Sequence, residues 1–169
     1  MLDIVNLIEL SSEPSVRYIY KKNFLNQDEH SSEMISLRLE VKNSSRVQTM
    51  LGSRDSQGRF PWHAYQKWNG SFWTFLVLAD MGYPHGDETL IPLREQTLEW
   101  LLDPGRLKAI PLINGRWRRC ACQEGGAVFS LLRLGLADSR VEHLVHMLIK
   151  WQWPDGGWNC DKHPEASHS

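Results

Sequence analysis

Three cysteines and a histidine are the side chains of this sequence best suited to chemistry. Cys120 and Cys122 flank one alanine, and Cys160 stands three residues before His163. Thiolates and a neutral imidazole are the donors that tetrahedral zinc prefers, so Cys120, Cys122, Cys160 and His163 form a candidate metal site. The competing reading of each cysteine is a small buried hydrophobe. Arg116, Arg118 and Arg119 surround Trp117 just before the first pair. Such a fork of guanidiniums can bind a diphosphate or carboxylate, and the alternative is a solvated loop. His63 stands three residues past Phe60, as Cys120 stands three past Trp117, and is a further candidate ligand.

These groups can act together only if the fold unites them, because 38 residues separate Cys122 from Cys160. A degenerate repeat supplies the means. Gln57-Gly58-Arg59-Phe60, Asn114-Gly115-Arg116-Trp117 and Asp155-Gly156-Gly157-Trp158 each place a polar residue, a glycine, an arginine or glycine, and an aromatic in that order. The intervals between Gly58, Gly115 and Gly156 are 57 and 41 residues, near the length of a two-helix repeat. The cysteine clusters follow the second and third aromatics by a few residues, so stacked repeats would bring their loops together.

What lies between the motifs is helical in pattern. Gly70-Ser71 opens a run through Phe72, Phe75, Leu76 and Ala79 that stops at Gly82. Gly125-Gly126 precedes a run through Val128, Leu131, Leu132 and Leu134 that stops at Gly135. Steps of three and four with a terminal glycine predict helices with left-handed caps. A second helix follows in each copy, over 92–102 and 139–151, the latter with Ser139 as N-cap. No strand pattern of useful length is visible. The predicted organisation is one domain, 1–169, with additional N-terminal helices in 1–52. Two helical-hairpin repeats and the start of a third occupy 53–169. In the first part, Leu2 to Leu10 is apolar, Ser11-Ser12-Glu13-Pro14 reads as a helix start with Val16, Ile19 and Tyr20 on one face, Ser31-Ser32-Glu33 starts a helix pairing Ile35 with Leu39, and Ser44-Ser45 precedes Val47, Met50 and Leu51.

The stretch from Leu148 to Trp158, LIKWQWPDGGW, resembles the QW motif of the terpene cyclase and protein prenyltransferase superfamily. Leu148, Gln152, Gly156 and Trp158 fall on that pattern. In the motif the glutamine caps a helix terminus and stacks near the tryptophan of the next turn. The resemblance, from about Gln57 onward, implies an α/α toroid in which inner and outer helices alternate around a cavity. Zinc enzymes of that architecture use a cysteine to hold or activate a thiol. The chain departs from the superfamily's catalytic patterns. It has no Asp-x-Asp-Asp acid motif, no two adjacent Asp for a magnesium cluster, no Asp-x-Cys and no Cys-His dipeptide. The expectation is therefore an all-α, partial toroid of helical hairpins without the acidic motifs. Only Asn159 to Ser169 follow Trp158, too few for another helix pair, so either the toroid is truncated or a second subunit or partner covers an open apolar edge.

Composition bounds the function. A chain of 169 residues can bury a substantial core, and its net charge of -1 gives no reason to expect nucleic acid. No transmembrane run or signal peptide is visible, so the expected location is the cytoplasm. The eight tryptophans lie largely in or beside the repeat loops, where packing or an aromatic-lined pocket would use them. Two functions follow: a cyclase- or prenyltransferase-like protein holding an isoprenoid or similar apolar small molecule, with zinc at the cysteine cluster, or a noncatalytic helical-repeat module that binds a partner.

Overall fold

The computed structural model describes residues 4–169. Met1, Leu2 and Asp3 lie outside it, so the apolar run is followed only from Ile4. Helices dominate: α1 (Ile4–Glu9), α2 (Pro14–Asn23), α3 (Ser32–Asn43), α4 (Ser45–Leu51), α5 (Ser71–Met81), α6 (Ile91–Leu101), α7 (Pro104–Lys108), α8 (Cys122–Arg133) and α9 (Ser139–Trp151). A short antiparallel ribbon, β1 (Leu112–Ile113) with β2 (Arg116–Trp117), interrupts them.

Local chemistry sets the helix ends. Pro14 opens α2, where its missing N–H costs nothing. Ser31 and Ser44 accept the Met34 and Val47 N–H groups as N-caps of α3 and α4. Gly82 ends α5 with φ at 80°, a left-handed cap. Gly70 is required by space instead, because a Cβ there would lie 2.2 Å from the Ala64 carbonyl oxygen. Two helix starts differ from expectation. Asp138, not Ser139, caps α9 through the Arg140 N–H. Gly125 and Gly126 lie inside α8, which begins at Cys122; Gly126 packs against Phe72 and Leu76, and a Cβ there would crowd the Phe72 ring at 3.1 Å. The strand pair was unforeseen: Asn114 and Gly115 both take positive φ, 50° and 73°, the twist that suits a two-residue hairpin.

The main core lies among α4, α5, α6, α8 and α9. Phe72, Phe75, Leu78, Leu93, Leu98, Leu101, Leu131, Leu134 and Leu144 are buried there. Helix α8 packs on both α5 and α9, while α6 contacts α5 and α8, so the first helices of the two hairpins meet directly. The Thr97 hydroxyl donates to Ser71 Oγ at 2.8 Å, closing a buried polar pair between α6 and α5.

The N-terminal helices join this body through α2, which packs on α3 and α5. Their own small core is Tyr18, Met34 and Leu37. Here the faces differ from those read in the sequence: Val16, Ile19, Ile35 and Leu39 are exposed, while Tyr18, Met34, Leu37 and Val41 are buried. Helix α1 buries nothing.

Candidate functional site

The predicted site residues meet where the ribbon, the first turn of α8 and the segment after α9 come together. Residue Asn159 pairs in parallel with Arg118 as an isolated bridge. The Trp153 indole N–H donates to the Trp117 carbonyl at 2.8 Å. Asn114 donates to the Pro164 carbonyl, and Arg116 and Arg118 donate to that of Ala166. The loops of the second and third motifs are thus neighbours.

That arrangement places Cys120 beside Cys160 and Cys122. Burial pushes the Cys120 thiol up to about 11, and the side-chain contact with Cys160 and the charges of Cys160 and Cys122 act in the same direction, against a backbone contact with Cys160. All three thiols are free, Cys120 half-buried and the other two exposed. His163 is exposed, and its Nδ1 accepts from the Glu165 N–H. Among the described residues no group of three or more His, Cys, Asp or Glu side chains is placed to hold a metal ion.

The three arginines do not converge on a common anion. Arg118 is 3% exposed and lies over the Trp153 ring, which Arg116 also approaches. Lys150 lies over the ring of Trp117. Arg119 turns instead to Glu124, a carboxylate with no exposed surface, and is joined there by Arg106 of α7 at 2.8 Å. Burial pushes the Glu124 carboxyl above the usual carboxylate range, against the pull of Arg119. A buried carboxylate that already holds two guanidiniums fills the role expected of an outside anion. Glu124, Arg106 and Gln123, which also accepts from both arginines, escaped the sequence reading. The acidic residue in the first helical turn was the available signal.

His63 belongs to a separate, neighbouring cleft lined by Trp62, His63, Ala64, Gln96, Glu99, Trp100, Asp103 and Arg106. Its ring meets Trp100 edge-on at 5.6 Å, while the Arg106 guanidinium lies over the same indole at 4.8 Å. Arg106 therefore links this cleft to Glu124. Tyr65, Phe72 and Trp73 extend the aromatic group behind Trp100.

Around Gln152 the side chains take other parts than those the resemblance implies. Gln152 is exposed and donates to the Gly156 carbonyl at 2.6 Å, closing the turn rather than capping the helix. The Trp158 indole supplies the cap by donating to the Leu148 carbonyl of α9 at 2.8 Å. An indole is the longer arm, and the Pro154–Gly156 turn folds it back over the helix end. The Trp62 and Trp73 indoles likewise donate to the loop carbonyls of Asn69 and Tyr65. These tryptophans fasten loops.

No helix among the described residues is long and apolar enough to cross a membrane. No family model, curated protein or solved structure matches the chain.

Proposed function

We propose that this chain is a noncatalytic helical-hairpin interaction module, built in the manner of the terpene cyclase and prenyltransferase hairpins, whose last hairpin docks a second helical surface, that of another copy included. The observation that carries this reading is the apolar exposure of that hairpin. Phe129 and Leu132 on α8 are 46% and 57% exposed, and Val145 and Ile149 on α9 are 36% and 63% exposed. Each pair sits at helical spacing on one face of its helix. Neighbouring positions on the same helices, Leu131 and Leu144, have no exposure at all, so both helices are apolar over a wider arc than the core uses. Surfaces of that kind mark protein contacts. The sequence also lacks the acidic motifs that the superfamily's cyclisation chemistry needs. Sedimentation velocity across the micromolar range tests it: a dimer or larger species is expected, converted to monomer by the double variant Leu132→Lys, Ile149→Lys. A compact parent monomer with no partner-dependent change counts against it.

A second reading, an apolar ligand with an anionic head such as an isoprenoid diphosphate, is favoured by a different cleft. It has a volume of about 480 Å³ and is lined by Ile35, Leu39 and Pro84 with Arg38, Arg133, His30 and His85 around them; Glu29 lies there too, paired with both arginines, so a diphosphate would have to displace that carboxylate. Calorimetric titration with an isoprenoid diphosphate against the Arg38→Ala variant checks that reading; equal heats, or none, dismiss it.

A further inference from the structure

The segment from Asn159 onward is held to the body by polar contacts alone. It buries no hydrophobic side chain, and its charged residues Asp161, Lys162 and Glu165 are exposed. Its ties are the Arg118–Asn159 bridge, the bonds from Asn114, Arg116 and Arg118 to the Pro164 and Ala166 carbonyls, and the Ser169 N–H on the Asp155 carboxylate. Polar contacts of this kind at a surface open with little free energy. The Trp153 and Trp158 indoles anchor the chain immediately before it, on the Trp117 and Leu148 carbonyls. The point at which a fastening would matter is therefore just beyond Trp158, where Cys160 stands.

Cys160 stands one residue past Asn159, and Cys120 two past the bridge partner Arg118. The bridge brings the two backbones together one and two residues before the thiols, and Cys160 lies close enough to Cys120 to act on its thiol. We propose that Cys120 and Cys160 are a dithiol pair that closes reversibly into a disulfide, fastening the C-terminal segment to the β-ribbon.

The chemistry needs an oxidant, and a low-molecular-weight disulfide such as oxidised glutathione serves. Cys160 is exposed and meets the reagent first. Its thiolate attacks one sulfur, the reagent's S–S bond breaks, and one glutathione thiolate leaves. Cys120 then loses its proton and attacks Cys160 Sγ, expelling the second glutathione thiolate. Two electrons pass from the cysteines to the reagent, and their two protons end on the two released thiols. Cys120, half-buried, is reached by the outside reagent less readily than the exposed Cys160 and so takes the second step. A reducing thiol reverses the sequence.

The test uses the full chain with oxidised glutathione, followed by peptide mapping under non-reducing conditions. The expected product is a peptide pair joined through Cys120 and Cys160, short of two hydrogens, formed equally in the parent and in Cys122→Ser and absent from Cys120→Ser. Hydrogen exchange of residues 159–166 should slow about tenfold on closure and recover on reduction. Glutathione adducts alone, or a cross-link made through Cys122 in the parent, overturn the pairing. A Cys120–Cys160 cross-link that leaves the exchange unchanged overturns the fastening.

Discussion

The turn at Gly58 and the turn at Gly156 carry the same short pattern and the same backbone device, yet they are held by opposite means. Both glycines are left-handed, with φ of 78° and 91°, as is Gly115 of the middle copy at 73°. Two residues later, Phe60 is 3% exposed in the main core, whereas Trp158 stays half-buried at its margin. Beyond its own Asp55 carboxylate, which accepts from the Gln57 and Arg59 N–H groups, the first turn leans on a distant helix: Gln96 of α6 accepts from the Phe60 N–H and donates to the Phe60 and Trp62 carbonyls. The last turn leans on itself, through the Gln152 amide on Gly156, the Trp153 N–H on the Gly157 carbonyl and the Trp158 indole on Leu148. A polar residue and a glycine set the backbone of such a turn. What sets the burial of its aromatic is whether another hairpin lies across it.

Truncating the aromatics should break the symmetry most. Phe60→Ala should destabilise by about 3–5 kcal/mol, as for a fully buried ring. Trp158→Ala should cost roughly half of that, because much of the indole keeps its water. Urea titrations of the two variants decide it, and equal losses would mean that both turns belong to the core alike.

The amides come next. Gln96→Ala removes the partner of three backbone groups and should cost about 1–3 kcal/mol. Gln152→Ala exposes its one acceptor to solvent and should cost under about 1 kcal/mol. If chemical denaturation ranks them in the other order, the contrast between distant and local support fails.

Glycine substitution sharpens the comparison further. Gly156→Ala meets nothing within 4 Å and should cost only the left-handed backbone term, about 1 kcal/mol. At Gly58 the added Cβ also meets Pro92 Cγ at 3.0 Å, so its loss of thermal stability should be the greater of the two.

A further effect concerns the ionic tie between α6 and α9. Arg140 donates to both Glu95 oxygens, at 2.6 and 2.7 Å, and holds the carboxyl down from 4.5 to about 2 against burial, with help from Arg94. A depressed carboxyl stabilises the fold above its unfolded pKa and loses that contribution as pH falls through the folded value. The window is therefore from about 4.5 down to about 2. Glu95 is partly exposed, so screening leaves roughly 1 kcal/mol. Acid titration of Glu95→Gln should show a flatter limb across that window; an unchanged limb would remove the pair from the account.

How much of this was legible beforehand follows from the range of the interactions. Helix starts at Pro14, Ser31 and Ser44, the stop at Gly82 and the hairpin faces through Phe72, Phe75, Leu98 and Leu144 depend on residues within a turn or two, and the sequence reading of them agrees with the structure. The convergence of Cys120 with Cys160 was accessible because a repeat carries long-range information in short motifs. The Glu124 cluster was not, since Arg106 and Arg119 reach it from different elements and charge is not periodic. Ile35 and Leu39 misled because a helix can be apolar on two faces, and spacing alone does not say which one finds the core. Asn114-Gly115 fits the repeat pattern and is also the strongest short hairpin turn, and the structure uses it as the latter. The Gln152 and Trp158 roles differ from those the resemblance implies because the path of the intervening turn decides which side chain reaches the helix end.

The most direct test of the proposed docking face is methyl-labelled magnetic resonance over rising protein concentration. The Leu132, Val145 and Ile149 methyls should shift and broaden together, while Leu78 and Leu98, buried in the core, stay in place. Concentration-independent spectra, or shifts confined to the exposed apolar residues Ile4, Leu7 and Leu10 of the N-terminal region, would contradict self-association through α8 and α9.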